Sequence, residues 1–411
     1  MSTRTDLVAL AERALAHVDG EAQATAWWER QLSAGPGRAV TTEAVSVELV
    51  VLAGGRVGTA VTTDVDEPGL ARAASGAARL AASGPAARGD LPAPAAGREH
   101  DGYDPAVATL EPPLALDEWS IWRAAAATTA IASTRGVRAY EERSFGDLRV
   151  RRHGAPGRSL ELTSATVRAG ELDPAALAAE ADALLGDGEP VPVEPGEYAV
   201  VLGPWAVAEV LRRAALAFGG PASPLAEHLG KRVAASCINL SDSPRFAATL
   251  PRSYDAEGAP RQPLPLIQDG VAHRLAAAGT GHAVAAGGAA GTLPEHLVLV
   301  GGGALDLAEL AEPIDHGLLI PALSIHGAWV LGRRGAALAE GARVIRGGAL
   351  AEAAPNLTVV FEPLELLGRA QALTARQRTV PPPVQRSART ASAIVCPGAR
   401  FGSGLFVAGA A

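Results

Sequence analysis

Apolar positions at Leu7, Val8, Leu10, Leu15 and Val18 recur at helical spacing, so residues 5–18 predict an amphipathic helix that closes near Gly20. From Val45 to Leu52 the pattern becomes β-branched and alternating, which predicts a strand. Ala53-Gly54-Gly55 marks a turn, and Arg56–Thr62 returns as the second strand of a hairpin. An Ala-rich helix is expected over 65–84, followed by a Pro-, Gly- and Ala-rich loop over 85–115. Residues 116–134, dominated by alanine, read as a further helix. The strands Val137–Arg143, Leu148–His153 and Ser159–Val167 and a helix over 173–185 complete this half.

The run Gly186-Asp187-Gly188-Glu189-Pro190, with further prolines to Pro195, predicts a domain boundary. Beyond it, Glu197–Leu202 reads as a strand and Pro204–Phe218 as a helix. Proline stands in that helix's first turn and Gly219-Gly220 lies past its end, the usual asymmetry of helix termini. From about residue 230 short strands dominate: Arg232–Leu240, a hairpin of Leu264–Gln268 and Val271–Leu275 around Asp269-Gly270, Ala322–Leu331 and Ala342–Ile345. The expected class is α+β. A mixed N-terminal domain over 1–190 is followed by a β-rich, antiparallel and barrel-like C-terminal domain over 191–411.

Composition narrows the function classes. Hydrophobic residues make up 48% of the chain but aromatics only 4%, so the core must rest on Val, Leu, Ile and Ala. The net charge is −8 and no basic cluster is interleaved with aromatics, which argues against a nucleic-acid partner. No apolar run reaches membrane-spanning length, and the first residues are amphipathic rather than a leader, so the chain reads as soluble and cytoplasmic. Cys237 and Cys396 make neither a disulfide framework nor a CxxC pair. Cys237 is expected in a core strand, and Cys396 is expected to be a half-buried structural thiol.

No familiar catalytic constellation is present. There is no G-x-S-x-G elbow, no phosphate-binding glycine loop and no HExxH or HExxxH. Ser241-Asp242-Ser243 reads as a turn. The pairs Glu227-His228 and Glu295-His296 are sequence neighbours, which point apart on a helix or strand and make no ligand set; His273, His282, His316 and His326 read as surface or capping residues. Glu209, on the amphipathic helix after Pro204, reads as a solvated residue paired with Arg212 or Arg213.

The C-terminal half carries a resemblance spread over about 200 residues. Asp255-Ala-Glu-Gly258 followed by Leu266-Ile-Gln-Asp-Gly-Val271 is similar to the "D-x-x-G, then L-I-x-x-G-V" hairpin of the TldD/TldE (PmbA) peptidase family. Leu229–Val233 with Ser241–Pro244, Leu297–Gly303 with Ile314–Leu318, Ala336–Gly347 and the closing Ser403–Gly409 resemble further segments of that family, in the same order. In its catalytic subunits a helix bears HExxxH and a C-terminal cysteine completes a zinc site. The matching helix here is Gly203–Arg213. With Glu209 on the family glutamate, the ligand positions are Ala208 and Arg213, which cannot bind zinc: alanine has no donor and arginine stays protonated.

The resemblance therefore implies a TldE-type subunit with no catalytic residue and no metal or cofactor of its own. Zinc is expected in a TldD-like partner subunit of a heterodimer, with peptide as substrate and a role in peptide or natural-product maturation. The alternatives are a peptide-binding homodimer and a stand-alone hydrolase with an unrecognised site.

Overall fold

A computed structural model describes the chain except residues 1–3, 88, 97–99, 114–115, 221–222, 278–279, 285–290, 326–328 and 384–386. The chain begins α1 (Arg4–Leu15), β1 (Glu21–Gly35), β2 (Arg38–Ala53), β3 (Arg56–Thr62), α2 (Glu67–Ala81). It continues β4 (Ser120–Ser133), β5 (Arg138–His153), β6 (Ser159–Thr166), α3 (Pro174–Leu185), β7 (Gly196–Leu202) and α4 (Pro204–Ala215). Shorter pieces follow: β8 (Leu240–Asp242), β9 (Leu264–Gln268), β10 (Val271–Ala272), β11 (Leu297–Leu299), α5 (Leu307–Ala311), β12 (His316–Ile320) and β13 (Ala322–Ser324). The last elements are β14 (Gly335–Glu340), β15 (Arg343–Arg346), β16 (Ala349–Ala353), β17 (Leu357–Phe361), α6 (Pro363–Gly368), β18 (Ala370–Val380) and β19 (Ile394–Ala410).

The fold is α+β, built on two large sheets. The first is antiparallel with order β3-β2-β1-β4-β5-β6. The second has 13 strands and is mostly antiparallel, with β7 and β12, and β11 and β19, paired in parallel. The long β19 is its hub, pairing with β7, β11, β17 and β18.

Residues 116–134 form no helix; Ser120–Ser133 is a central strand between β1 and β5. The alanine run fits because both faces of this strand are covered, and only small side chains let two layers approach so closely. Ala124, Ala126, Ala130 and Ala132 join the main core, while Ala125 and Ala127 pack with Phe145, Leu250, Ala388 and Ala391. Tertiary covering overrides alanine's helix propensity. Residues 138–153 are one strand rather than two, and only Leu240–Asp242 of the region around Arg232–Leu240 is a strand. Cys237 accordingly sits partly exposed in a turn, not in a core strand.

The expected helices start where capping chemistry places them. Asp66 accepts the Gly69 N–H at 2.7 Å to open α2, and Asp173 accepts the N–H groups of Ala175 and Ala176 to open α3. Helix α2 lies directly on β3. A Cβ added at Gly58 would stand 2.0 Å from Ala77 O and 2.2 Å from Ala81 N, both rigid backbone atoms. Gly58→Ala is expected to destabilise by about 1–3 kcal/mol through overpacking. Gly76, inside α2, has only an ordinary 3.8 Å contact to offer. Gly76→Ala is expected to stabilise by up to ~1 kcal/mol, and the two urea midpoints should therefore move in opposite directions.

Candidate functional site

Helix α4 is the centre of the site. It follows β7 through Gly203, where a Cβ would come 2.6 Å from Pro321 O, so only glycine permits this strand-to-helix passage. Most of α4 is buried, including Ala208, which is fully enclosed in the main core. Glu209 is only 6% exposed, so it is not the solvated residue its amphipathic pattern suggests. Its pairing is as expected: Arg212 Nε–H donates to Oε1 at 3.1 Å and Arg213 Nη2 stands 4.0 Å from Oε2. Arg212 also donates to Pro381 O at 3.2 Å, tying α4 to the segment after β18.

Several cavities border this helix. One, of about 200 Å³, lies over Glu209 and is lined by Arg149, Arg151, Glu161, Trp205 and Ser324 among others. A second, of about 340 Å³, opens beyond Arg212 toward Leu293, Glu295 and Ser392. A third, of about 300 Å³, lies at the other side of Trp205. The outer edge of β6, which borders the first cavity, is largely occupied: Trp205 Nε1–H donates to Thr163 O at 2.7 Å, and Glu340 accepts the Glu161 N–H at 3.1 Å. Burial pushes the Glu340 carboxyl above its ordinary range, against the hydrogen bond from Ser324.

The residues at α4 do not fit a zinc ion. Ala208 offers no donor, Arg213 is a cation, and the Glu209 carboxylate already faces two guanidinium groups. Cys396 lies on β19 near the start of α4, fully buried, with its thiol directed at Pro204 O at 3.2 Å. Burial raises its pKa strongly, so the thiolate a metal needs is suppressed. It is thus more deeply buried than the half-buried thiol expected. Among the described residues no group of three or more His, Cys, Asp or Glu is arranged to hold a metal.

A buried charged network at the junction of the two sheets escaped the sequence reading. Asp242, at the end of β8, accepts the His296 N–H at 2.6 Å and stands 3.1 Å from His282 Nε2. Arg261, also fully buried, reaches His296 Nδ1 at 2.6 Å with one arm and Glu295 at 3.0 Å with the other. Glu295 and His296 therefore converge although they are neighbours, because the guanidinium fork spans both. His282 and His296 are buried rather than at the surface; His326 lies outside the described residues. Burial, then the Arg261, Arg143 and Arg252 charges, push the His296 pKa well below its ordinary value, so the ring is neutral.

From the first sheet, Glu141 of β5 accepts the Ser253 N–H at 2.8 Å and lies 3.3 Å from His100 Nε2. Burial raises the Glu141 carboxyl, but His100, Arg143 and Arg252 outweigh it and hold the pKa below the usual range. Two residues along, Arg143 spends all five N–H donors on backbone carbonyls: Leu250, Pro251, Ala388, Arg389 and Ala391, at 2.6–2.8 Å. The only sequence signals were the Ser241–Pro244 and Asp255–Gly258 turns, whose aspartates are both fully buried.

Residues 195–409, just over half of the 411, match the family model described as the PmbA/TldA metallopeptidase C-terminal domain. The fold is similar to TldE from Thermococcus kodakarensis at 19% identity and a TM-score of 0.79, covering 97% of this chain and 99% of that one. It is also similar to a protein of Thermotoga maritima described as a candidate modulator of a DNA gyrase, at 18% identity and TM-score 0.76, covering 94% and 95% of the two chains. A Bacteroides thetaiotaomicron protein with the same kind of description gives 17%, TM-score 0.77, and coverage of 99% and 100%. No curated protein matches significantly in sequence. The matched domain and the fold together place this chain in the PmbA/TldD metallopeptidase family.

Proposed function

We propose that this chain is the non-catalytic, TldE-like subunit of a heterodimeric zinc peptidase. A TldD-like partner supplies the metal and the base, and this chain shapes the peptide cavity and stabilises that partner, in the maturation of peptides or peptide-like natural products. The observation that carries the reading is the α4 triplet of Ala208, Glu209 and Arg213. A buried glutamate needs a positive counter-charge, and here Arg212 and Arg213 supply it, with Arg213 standing at one of the two positions where a catalytic subunit has a metal-binding histidine. The helix follows β7 and packs against β13, β18 and β19, and it carries no zinc donor set at these positions.

The test is zinc content and peptidase activity of the chain alone and after co-expression with a TldD-like homologue. Zinc and activity are expected only in the copurified pair, with zinc assigned to the partner. Stoichiometric zinc or chelator-sensitive hydrolysis in this chain alone would overturn the proposal.

A further inference from the structure

The cavity beyond Trp205 combines an apolar wall with a cation that nothing in the fold uses. Leu184 of α3, Pro204 and Trp205 of α4, and Leu305 and Leu307 at the start of α5 form the wall. Opposite them, β18 contributes Thr374, Arg376 and Arg378. Leu305 is 78% exposed, the most exposed large hydrophobic side chain among the described residues. A single exposed leucine is ordinary; one placed at the mouth of an apolar cavity beside an arginine is a different matter.

The other charges in the cavity are spent. Glu180 pairs with Arg378. Asp306 caps α5, accepting the N–H groups of Ala308 at 2.9 Å and Glu309 at 3.0 Å. Trp205 has its indole N–H committed to Thr163 O, which fixes the ring, and the Arg378 guanidinium stands 6.0 Å from the ring centroid. The Arg376 side chain is exposed and its guanidinium makes no hydrogen bond or ion pair among the described residues; only its carbonyl is engaged, by Thr374 Oγ1–H at 2.9 Å. The uncommitted charge is positive, so the complementary ligand is an anion with an apolar body.

The volume, about 300 Å³, is at the lower end of ligand pockets, so it suits the end of a chain rather than a whole molecule. We propose that this cavity binds the C-terminal residue of a peptide. Its apolar side chain lies among Trp205, Leu184 and Leu305, and its α-carboxylate is held by Arg376. The choice of a peptide over other apolar carboxylates rests on the peptidase-subunit reading; the shape and charge of the cavity do not.

Calorimetric titration of the full chain, without any partner, tests it. The probes are acetyl-Gly-Ala-Leu as free acid, the same peptide as C-terminal amide, and 4-methylpentanoate. The free acid is expected to bind at least about tenfold more tightly than the amide, the usual margin for a charge-assisted hydrogen bond. Arg376→Gln is expected to remove that margin while leaving amide binding unchanged, and Leu305→Ser to weaken both. Both side chains are exposed, and an unshifted thermal midpoint verifies each fold. No detectable binding, equal binding of acid and amide, or an Arg376→Gln variant that binds like the parent overturns the site. Binding of 4-methylpentanoate as tight as that of the peptide overturns the peptide assignment. Copurification of Arg376→Gln with the TldD-like homologue, and the zinc content of that pair, are expected to be unchanged, so failure here is distinguishable from failure of the partner reading.

Discussion

Replacing Arg143 by alanine is expected to destabilise the protein by about 3–5 kcal/mol, the scale for breaking a buried, fully bonded charge, and to release residues 387–391 from the first sheet. Arg143 is 2% exposed, and its five donors close on carbonyls from two separate segments of the C-terminal half. Burial lowers its pKa to about 10, which still leaves it charged at neutral pH. Without the side chain these carbonyls lose their donor inside a dry junction, and each unsatisfied group costs about 1–3 kcal/mol before relaxation. Glu141 loses one of the cations that hold it ionised.

The released segment keeps the apolar packing of Ala388 and Ala391 against Ala125, Ala127 and Phe145 and a few peripheral ties. Glu29 accepts the Ala388 N–H at 2.6 Å, and Arg389 stacks over Trp27 at 4.3 Å while pairing with Glu48 at 3.4 Å. Lysine has three donors instead of five and no planar fork, so Arg143→Lys should fall between parent and alanine variant. Urea midpoints and limited proteolysis read both effects without assuming two-state unfolding of so long a chain. An alanine variant with the parent's midpoint and no new cleavage near 387–391 would refute the staple.

The parts of the fold that were legible in the sequence are those written in local chemistry. Pro204 opens α4 where its first-turn proline predicts it, and Asp66 and Asp173 cap the helices read over 65–84 and 173–185. Asp269 and Gly270 turn the β9–β10 hairpin with positive φ at both residues. The alanine strands were not legible. In β1, Ala22, Ala24 and Ala26 alternate with Gln23 and Thr25, yet both faces are buried, so polarity gives no period to read. In β4 the same small side chains mimic a helix until the layers on either face are known.

The site divides in the same way. Ala208, Glu209 and Arg213 lie on the helix that Pro204 and the apolar pattern predict, and their side-chain chemistry follows from residue type alone. How deeply Glu209 is buried could not be, because an amphipathic pattern does not reveal that α4 is covered by β13, β18, β19 and α6. The buried network is farther still from local reading: Glu141, Asp242, Arg261 and His296 come from four segments and meet only after both sheets have formed. Such long-range polar clusters leave no periodic trace.

That network is expected to make stability fall as the pH drops below 6.5. His296 is buried among Arg261, Arg143, Arg252 and His282, with Asp242 and Glu295 as the nearby anions, and its folded pKa lies well below the ordinary 6.5. An unfolded chain takes up the imidazole proton as the pH falls through 6.5, while the folded protein does not. The neutral ring's contribution is therefore fully present above pH 6.5 and lost progressively between that value and the lower folded pKa. One proton corresponds to at most about 1.4 kcal/mol per pH unit, or roughly 2 kcal/mol by pH 5. Glu141 acts in a separate window: its folded pKa is lowered, so its stabilisation is intact above about 4.5 and disappears only below it. Urea unfolding between pH 7.5 and 5 therefore stays above the Glu141 window, and the difference between parent and variant reads the His296 contribution. Gln at position 296 keeps an acceptor for Arg261 but cannot titrate, so His296→Gln should flatten the slope by up to about 1.4 kcal/mol per unit relative to the parent. Parallel slopes for parent and variant would mean that His296 takes up its proton in the folded state, against the repulsion of three buried arginines.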